Sequence, residues 1–253
     1  MEYLGGSVLR IDAKGIHYKE LNEKINEVVL SGAKDIVLDN INGQRYIGDN
    51  LSGSDVKITI NGVPGNDLAA FMDGPTIVVN ANAQDALCNT MNSGKVVIHG
   101  SVGDIAGYAM RGGKLFIKNN VGYRSGIHMK SYKDLFPVII VGGTTGDFFG
   151  EYMAGGMGIV LGLNSDLKKS VVGNYIGTGM HGGVIYLRGN VEDYQLGKEI
   201  KKFDLDDNDR AALKKHLSEF AADLNLDLKD IYNDKFVKLI PYTHRPYGKL
   251  YAY

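Results

Sequence analysis

The sequence predicts an all-β protein, a right-handed parallel β-helix whose coils each contain about 20 residues, with short capping helices at both ends. Three observations predict it: a ladder of methionines at a fixed spacing, columns of small residues at the same spacing, and short alternating strand segments between them. A fixed period of roughly 20 residues is typical of a solenoid, in which each repeat is one coil and buries its apolar face against its neighbours.

The methionine ladder sets the period, because four methionines recur at one constant spacing and two more continue the series after insertions. The ladder is Met72, Met91, Met110, Met129, Met153 and Met180. The positions seven residues before them are Gly65, Gln84, Gly103, Gly122, Gly146 and Gly173. The positions three residues before them are Ala69, Cys88, Gly107, Gly126, Gly150 and Gly177. We expect the first set to form corners with positive φ, which favours glycine. The small residues leave room inside the coil for the flexible methionine side chains.

The strand segments alternate apolar and other residues, which places one set of side chains on one face. Ile58, Ile77, Val96 and Leu115 recur at the spacing of the methionines and should stack in register. One repeat traces roughly 60 Å of extended chain, which suits a closed coil with two or three short sides. This is too short for a propeller blade of roughly 40 residues. We expect seven or eight coils, one for each repeat.

The chain is predicted to be one domain, 1–253, in three parts. Residues 1–34 form an N-terminal extension with a capping helix at 18–31, 35–191 form the coils, and 192–253 form a helix at 209–224 and a tail. A solenoid needs its end coils covered, so we expect the two helices to act as caps and the tail 236–253 to be extended. Insertions near Tyr132–Phe136 and Asn164–Val171 should be loops.

Composition excludes several classes of function. The 253 residues contain 28 basic and 29 acidic side chains, which implies no broad basic surface for nucleic acid. No apolar run is long enough for a membrane span, and the segment Met1–Arg10 lacks the features of a signal peptide. A single cysteine fits a reducing compartment, so we expect a cytoplasmic protein.

No motif in the sequence predicts a cofactor or a catalytic group in this chain. The segment Gly177–Gly182 matches a dinucleotide fingerprint by its letters, but a strand pattern follows where a helix is required. Cys88 lies in the small-residue column and is expected to be structural. The six histidines have no zinc-site spacing. We also expect no row of carboxylates, on the view that Asp and Glu lack a fixed position in the repeat.

Two stretches carry a family resemblance: Gly122–Tyr132, which ends in His-Met-Lys-Ser-Tyr, and Pro137–Gly156. With the run Ile41–Gln44 they resemble the C-terminal GXGXG domain of the glutamate synthase large subunit, and the likeness covers residues 20–190. The domain in that family is a right-handed parallel β-helix. The namesake triple glycine is not literal here, and Gly177-Thr178-Gly179 is the nearest stretch.

The resemblance implies a free-standing, non-catalytic scaffold of a split-gene glutamate synthase, which makes glutamate from glutamine and 2-oxoglutarate. Its expected partners are a glutaminase subunit and a synthase subunit that carries FMN and an iron–sulfur cluster, with no cofactor in this chain. The alternative is the similar β-helix component of a formylmethanofuran dehydrogenase. A stand-alone β-helix acting on carbohydrate is a third hypothesis.

The candidate interface residues are Arg124, His128 and Lys130, which lie in the densest basic segment of the repeat region. Core-facing positions are fixed by stacking, so partner contacts must use outward side chains and insertions. Arginine is also enriched at protein interfaces. We therefore expect this segment to contact a partner subunit.

Overall fold

The computed structural model describes residues 2–4, as backbone, and 8–242. The strands are β1 Glu2–Leu4, β2 Val8–Asp12, β3 Asp35–Asn42, β4 Lys57–Val63, β5 Asp73–Val79, β6 Ser93–Ile98, β7 Lys114–Ile117, β8 Val138–Val141, β9 Ala154–Val160, β10 Gly182–Arg188, β11 Ile200–Phe203 and β12 Phe236–Pro241. The α-helices are α1 Tyr18–Leu30 and α2 Asp207–Leu224, and two 3₁₀ turns cover Asp193–Gln195 and Lys229–Asn233. The expected extended tail is present as β12, and the rest of it, with His244, lies outside the described residues.

Strands β2 to β10 pair in parallel in chain order, which is the topology of a solenoid. Ile58, Ile77, Val96 and Leu115 are register partners across β4 to β7, so this prediction is confirmed. The fold class, a right-handed parallel β-helix, is also confirmed, with about six turns rather than seven or eight. The connection from β2 to β3 is helix α1 instead of a coil.

The two insertions leave the register of the sheet intact. Leu115 pairs with Ile139 and Gly158 pairs with Ile185, so the longer coils rejoin the sheet at equivalent positions. Between these strands the inserted residues form turns and bends, as expected of loops.

The interior of the coil is filled by the methionine ladder and the inward strand positions. All six ladder methionines are buried. Helix α1 covers the N-terminal end, since Leu21, Ile25 and Val28 are buried in the same apolar cluster as the coil interior. This agrees with the expected N-terminal cap.

Helix α2 occupies a different place from the one expected. Its buried side chains, Leu213, Leu217 and Phe220 among them, pack on the outward face of β6 to β10 instead of the C-terminal end. Phe220 meets Phe116 edge to face at 5.6 Å. The outward positions of these strands are apolar, Val97 for example, and so require a cover. The end coil is instead covered by the segment 191–203.

Two sets of contacts fix these covers. On the sheet, Lys95 and Lys114 form ion pairs with Glu219 of α2. At the end coil, Leu196 bridges to Ile176, and buried Ile200 fills the space beside it.

The corner glycines have a different cause from the positive φ expected of them. None of Gly103, Gly122 and Gly173 has a positive φ. A Cβ at Gly103 would lie 1.9 Å from Oδ1 of Asp85, which accepts the Asp104 N–H at 2.8 Å. Glycine is therefore required because the side chain of the preceding coil occupies the space. Gly65 instead approaches the backbone of the preceding coil, and Gly146 approaches both the backbone and the Tyr123 side chain.

A row of carboxylates does exist, contrary to expectation. Asp85, Asp104 and Asp147 each follow a corner position and accept a backbone N–H from the next coil. Asn66 accepts the Asp85 N–H in the same way at 3.4 Å. The equivalent positions in other coils hold Asn66, Tyr123 and Asn174, so the sequence shows no continuous series of acidic residues. The row caps backbone donors, so its role is structural.

Candidate functional site

Seven successive segments of the chain, from 46–50 to 175–179, each have three residues with positive φ at alternate positions. The first positions are Tyr46, Asp67, Ala86, Ile105, Arg124, Phe148 and Tyr175. The middle positions are Gly48, Ala69, Cys88, Gly107, Gly126, Gly150 and Gly177. The third positions are Asn50, Phe71, Thr90, Ala109, His128, Tyr152 and Gly179. We call these three sets the left-handed columns.

Hydrogen bonds between coils hold the left-handed columns in place. The N–H groups of Arg124 and His128 donate forward to the carbonyls of Asp147 and Glu151, both at 2.9 Å. The N–H of Gly126, between them, donates backward to Ala106 at 2.7 Å. The coils across 67–152 repeat this alternation, so the backbone donors of the left-handed columns are paired between coils.

The middle column points into the coil and allows only small residues. A Cβ at Gly107 would lie 2.4 Å from Cδ1 of Ile139, and one at Gly150 would lie 2.7 Å from Cδ1 of Ile185. Cys88 is fully buried in this column, and burial raises the pKa of its thiol. A buried neutral thiol is a poor nucleophile, which agrees with a structural role.

The first and third columns, which we call the outer columns, place several large side chains in solvent. With Tyr108, which lies between them, they form the aromatic face, defined as Phe71, Ile105, Tyr108, His128, Phe148, Tyr152 and Tyr175. Of these residues, Phe71, Ile105, Tyr108, Tyr152 and Tyr175 are 37% to 53% exposed. Large apolar groups exposed together on one face are typical of interaction surfaces.

Rings of the aromatic face stack from coil to coil. The His128 ring lies parallel to that of Tyr152 at 5.2 Å and meets Tyr108 edge to face at 5.8 Å. The rings of Phe148 and Tyr175 stack at 4.9 Å. Stacking across coils fixes the side chains before any partner binds, which lowers the entropy lost on binding.

Arg124 holds the middle of this face together. Its guanidinium lies 4.8 Å from the Phe148 ring centroid, and its Nη1 donates to Oε2 of Glu151 at 2.7 Å. Glu151 is buried, so Arg124 also neutralises a carboxylate that would otherwise be costly to bury. The residue therefore has a structural role in addition to its predicted interface role.

The three candidate interface residues are only partly brought together. Arg124 and His128 both contact the segment 148–152. Lys130 is exposed beyond Met129 and forms no ion pair within the described part of the chain. Sequence reasoning missed Phe148, whose fixed position in the repeat could have indicated it.

Within residues 8–242, no group of three or more His, Cys, Asp or Glu side chains could hold a metal ion. No helix of the described residues has the length and apolar character needed to cross a membrane. The segment Gly177–Gly182 leads into strand β10, so it lacks the helix of a dinucleotide site.

The chain matches the GXGXG motif family over residues 34–242. It belongs to this family. It is 53% identical over 252 residues to an uncharacterized protein of Methanocaldococcus jannaschii, a match that covers 96% of this chain and 95% of the relative. The left-handed columns have the alternate spacing of the family motif, and Tyr175-Ile176-Gly177-Thr178-Gly179 comes closest to it.

A solved structure shares the fold. It is a chain of the formyltransferase/hydrolase complex of Methylorubrum extorquens in complex with methylofuran, with a TM-score of 0.61 and 19% identity. The match covers 90% of this chain and 91% of that one. At this identity the similarity shows the β-helix architecture alone.

Proposed function

We propose that this chain is a non-catalytic β-helix subunit of a multisubunit complex of the formylmethanofuran dehydrogenase and formyltransferase type. The observation that carries the proposal is the aromatic face, whose rings are exposed and stack from coil to coil. Interfaces are enriched in aromatic residues and Arg, and Arg124 packs against Phe148 of this face.

The solved relative supports the choice of complex. It belongs to a formyltransferase/hydrolase complex, and the shared architecture extends over nearly the whole of both chains. In this proposal, catalytic groups and cofactors belong to partner subunits. The present chain holds those subunits in a fixed relative position.

A second candidate is the scaffold of a split-gene glutamate synthase. It is favoured by the segment Gly122–Tyr132, which resembles the glutamate synthase domain and includes an insertion of matching position. The partners would then be a glutaminase subunit and a synthase subunit holding FMN and an iron–sulfur cluster. We expect a cytoplasmic assembly in either case.

Purification of the tagged chain with its bound partners from the source cells distinguishes the two candidates. The first predicts co-purification of formylmethanofuran dehydrogenase subunits and formylmethanofuran-dependent activity. The second predicts glutaminase and synthase subunits with glutamate formation from glutamine and 2-oxoglutarate. A chain that purifies alone and remains monomeric under native conditions would contradict both.

Variants test whether the aromatic face is the docking surface. We expect Tyr108→Ala with Tyr152→Ala to weaken partner binding at least about tenfold, since aromatic hot spots carry much of the binding energy. Tyr194→Ala is the control, because Tyr194 is 76% exposed and lies outside the face. Equal affinities of all forms would place the docking surface elsewhere.

A further inference from the structure

A cleft of about 320 Å³ lies beside helix α2. Its lining residues follow the left-handed columns in the sequence. Its floor is apolar: Leu213 and Leu217 of the helix are buried there, and Leu205, Tyr232 and Phe236 complete it. A hydrogen bond of 3.0 Å between the Tyr232 hydroxyl and Ser218 Oγ fixes the ring of Tyr232. The volume is at the lower end of the range for small-molecule sites.

The rim of this cleft is cationic. Arg210 and Lys214 lie one turn apart on α2, and Lys229 faces them from the 3₁₀ turn. Like charges at this spacing repel each other. Within the described residues, Arg210 and Lys214 have no ion-pair partner, and Lys229 has only Asp227 at 3.8 Å.

Two carboxylates near the cleft, Asp209 and Asp234, are bound to other groups. Asp209 accepts from the Tyr186 hydroxyl at 2.6 Å and from Lys238 Nζ at 2.8 Å. Asp234 pairs with Arg188 at 2.6 Å. Among the residues that the structure describes, no acidic side chain lines the cleft, and Arg210 and Lys214 have no ion-pair partner there, so these two charges remain available to a ligand.

We propose that the cleft binds a small organic anion with an apolar body, such as an aryl sulfonate or a medium-chain carboxylate. The apolar floor receives the body of the ligand, and Arg210 and Lys214 hold its anionic group. Asn233 at the rim offers an amide to the same group. This site is independent of the proposed scaffold function, because none of its residues belongs to the aromatic face.

Fluorescence titration of the full chain with 8-anilinonaphthalene-1-sulfonate tests the site. The chain has no tryptophan, so the probe is read with little background. We expect saturable binding that Arg210→Ala with Lys214→Ala weakens at least tenfold. The matched control is Lys168→Ala with Lys169→Ala, which removes the same charge from exposed residues of the second insertion and should bind like wild type.

Competition separates the roles of charge and apolar body. Octanoate should displace the probe, whereas acetate, which lacks the chain, and octan-1-ol, which lacks the charge, should not at equal concentration. Asn233→Phe, which fills the rim without altering buried residues, should also block binding. Absence of saturable binding, equal binding by the two double variants, or equal displacement by octanol and octanoate would overturn the proposal.

Discussion

Replacing Gly103 by alanine should destabilise the coil through a collision with its neighbour. The new Cβ would lie 1.9 Å from Oδ1 of Asp85, an impossible separation, so the carboxylate must move. That oxygen accepts the backbone N–H of Asp104 at 2.8 Å. The substitution therefore breaks a hydrogen bond between coils, although alanine itself is compatible with the backbone at this position.

The expected magnitude follows from two contributions. A hydrogen bond to a charged group is worth about 1.5–3 kcal/mol, and the partial exposure of Asp85 favours the lower value. Residual crowding against the Gln84 carbonyl carbon, 3.3 Å from the new Cβ, adds about 1 kcal/mol. We therefore expect Gly103→Ala to cost about 2–3 kcal/mol in the free energy of unfolding.

A double-mutant cycle measured by urea denaturation tests the mechanism. Asp85→Ala alone should cost about 1.5 kcal/mol, but it also frees the space that the alanine methyl group at position 103 needs. The double variant should be more stable than the sum of the single effects by about 1–2 kcal/mol. As a control, Gly103→Ala should be additive with Asp147→Ala, two coils away. Additivity in both cycles would refute the reasoning.

Substitutions at three further positions are predicted from the core and the helix contact. Ser125→Ala should stabilise the chain by about 1 kcal/mol, because the Ser125 hydroxyl is buried without a partner in the described part of the chain; a lower urea midpoint would count against this. Cys88→Ala should change stability little, whereas Cys88→Leu should cost about 1–3 kcal/mol by overpacking, both measured by thermal unfolding. Burial raises the pKa of the Glu219 carboxyl, but Lys114 and Lys95 together lower it by a larger amount. The net pKa is therefore below the ordinary 4.5. Its contribution to stability is thus present above the unfolded pKa and lost as pH falls through the folded pKa. Glu219→Gln should therefore reduce the difference in urea midpoint between pH 7 and pH 3, and an unchanged difference would exclude this contact as its source.

The sequence was sufficient for the solenoid and its register, because spacing alone determines which residues stack. Ile58, Ile77 and Val96 pair as their equal separation requires. The corner glycines were located correctly but explained wrongly. The reason for Gly103 is the Asp85 side chain of the preceding coil, which is distant in the sequence and becomes a neighbour only in the folded chain.

The position of helix α2 could have been predicted from a different feature of the sequence, which is the presence of strands that are apolar at every position. Strands such as Val138–Val141 are apolar at every position and buried on both faces. A coil with one solvated face would show alternation, so these runs indicate a cover on the outer side. The aromatic face was not predicted because most of its side chains stand at positive φ, outside the strand segments on which the search for alternating hydrophobic residues depends.

Residues other than glycine in the left-handed columns lower the stability of the coil, which bears on the proposed docking role of their side chains. A residue other than glycine in this conformation costs roughly 1–2 kcal/mol, and a β-branched residue such as Ile105, with φ of 61°, is especially unfavourable there. Glycine at the outer positions would relieve this strain and leave the hydrogen bonds between coils intact. Side chains such as Ile105, Phe148 and Tyr175 at these positions therefore lower the stability of the coil relative to glycine, which is consistent with a role in contacts on the outer surface.

This reasoning predicts an inverted order of stability at Ile105. Ile105→Gly should be more stable than Ile105→Ala by about 1 kcal/mol, since both lose the side chain but only glycine loses the strain. At Thr59, in the extended strand β4, the order should be the usual one, with alanine more stable than glycine. Both Ile105 variants should bind the partner subunit more weakly than wild type. If Ile105→Gly proved less stable than Ile105→Ala, or bound its partner normally, strain at the outer columns would no longer support their use as a docking surface.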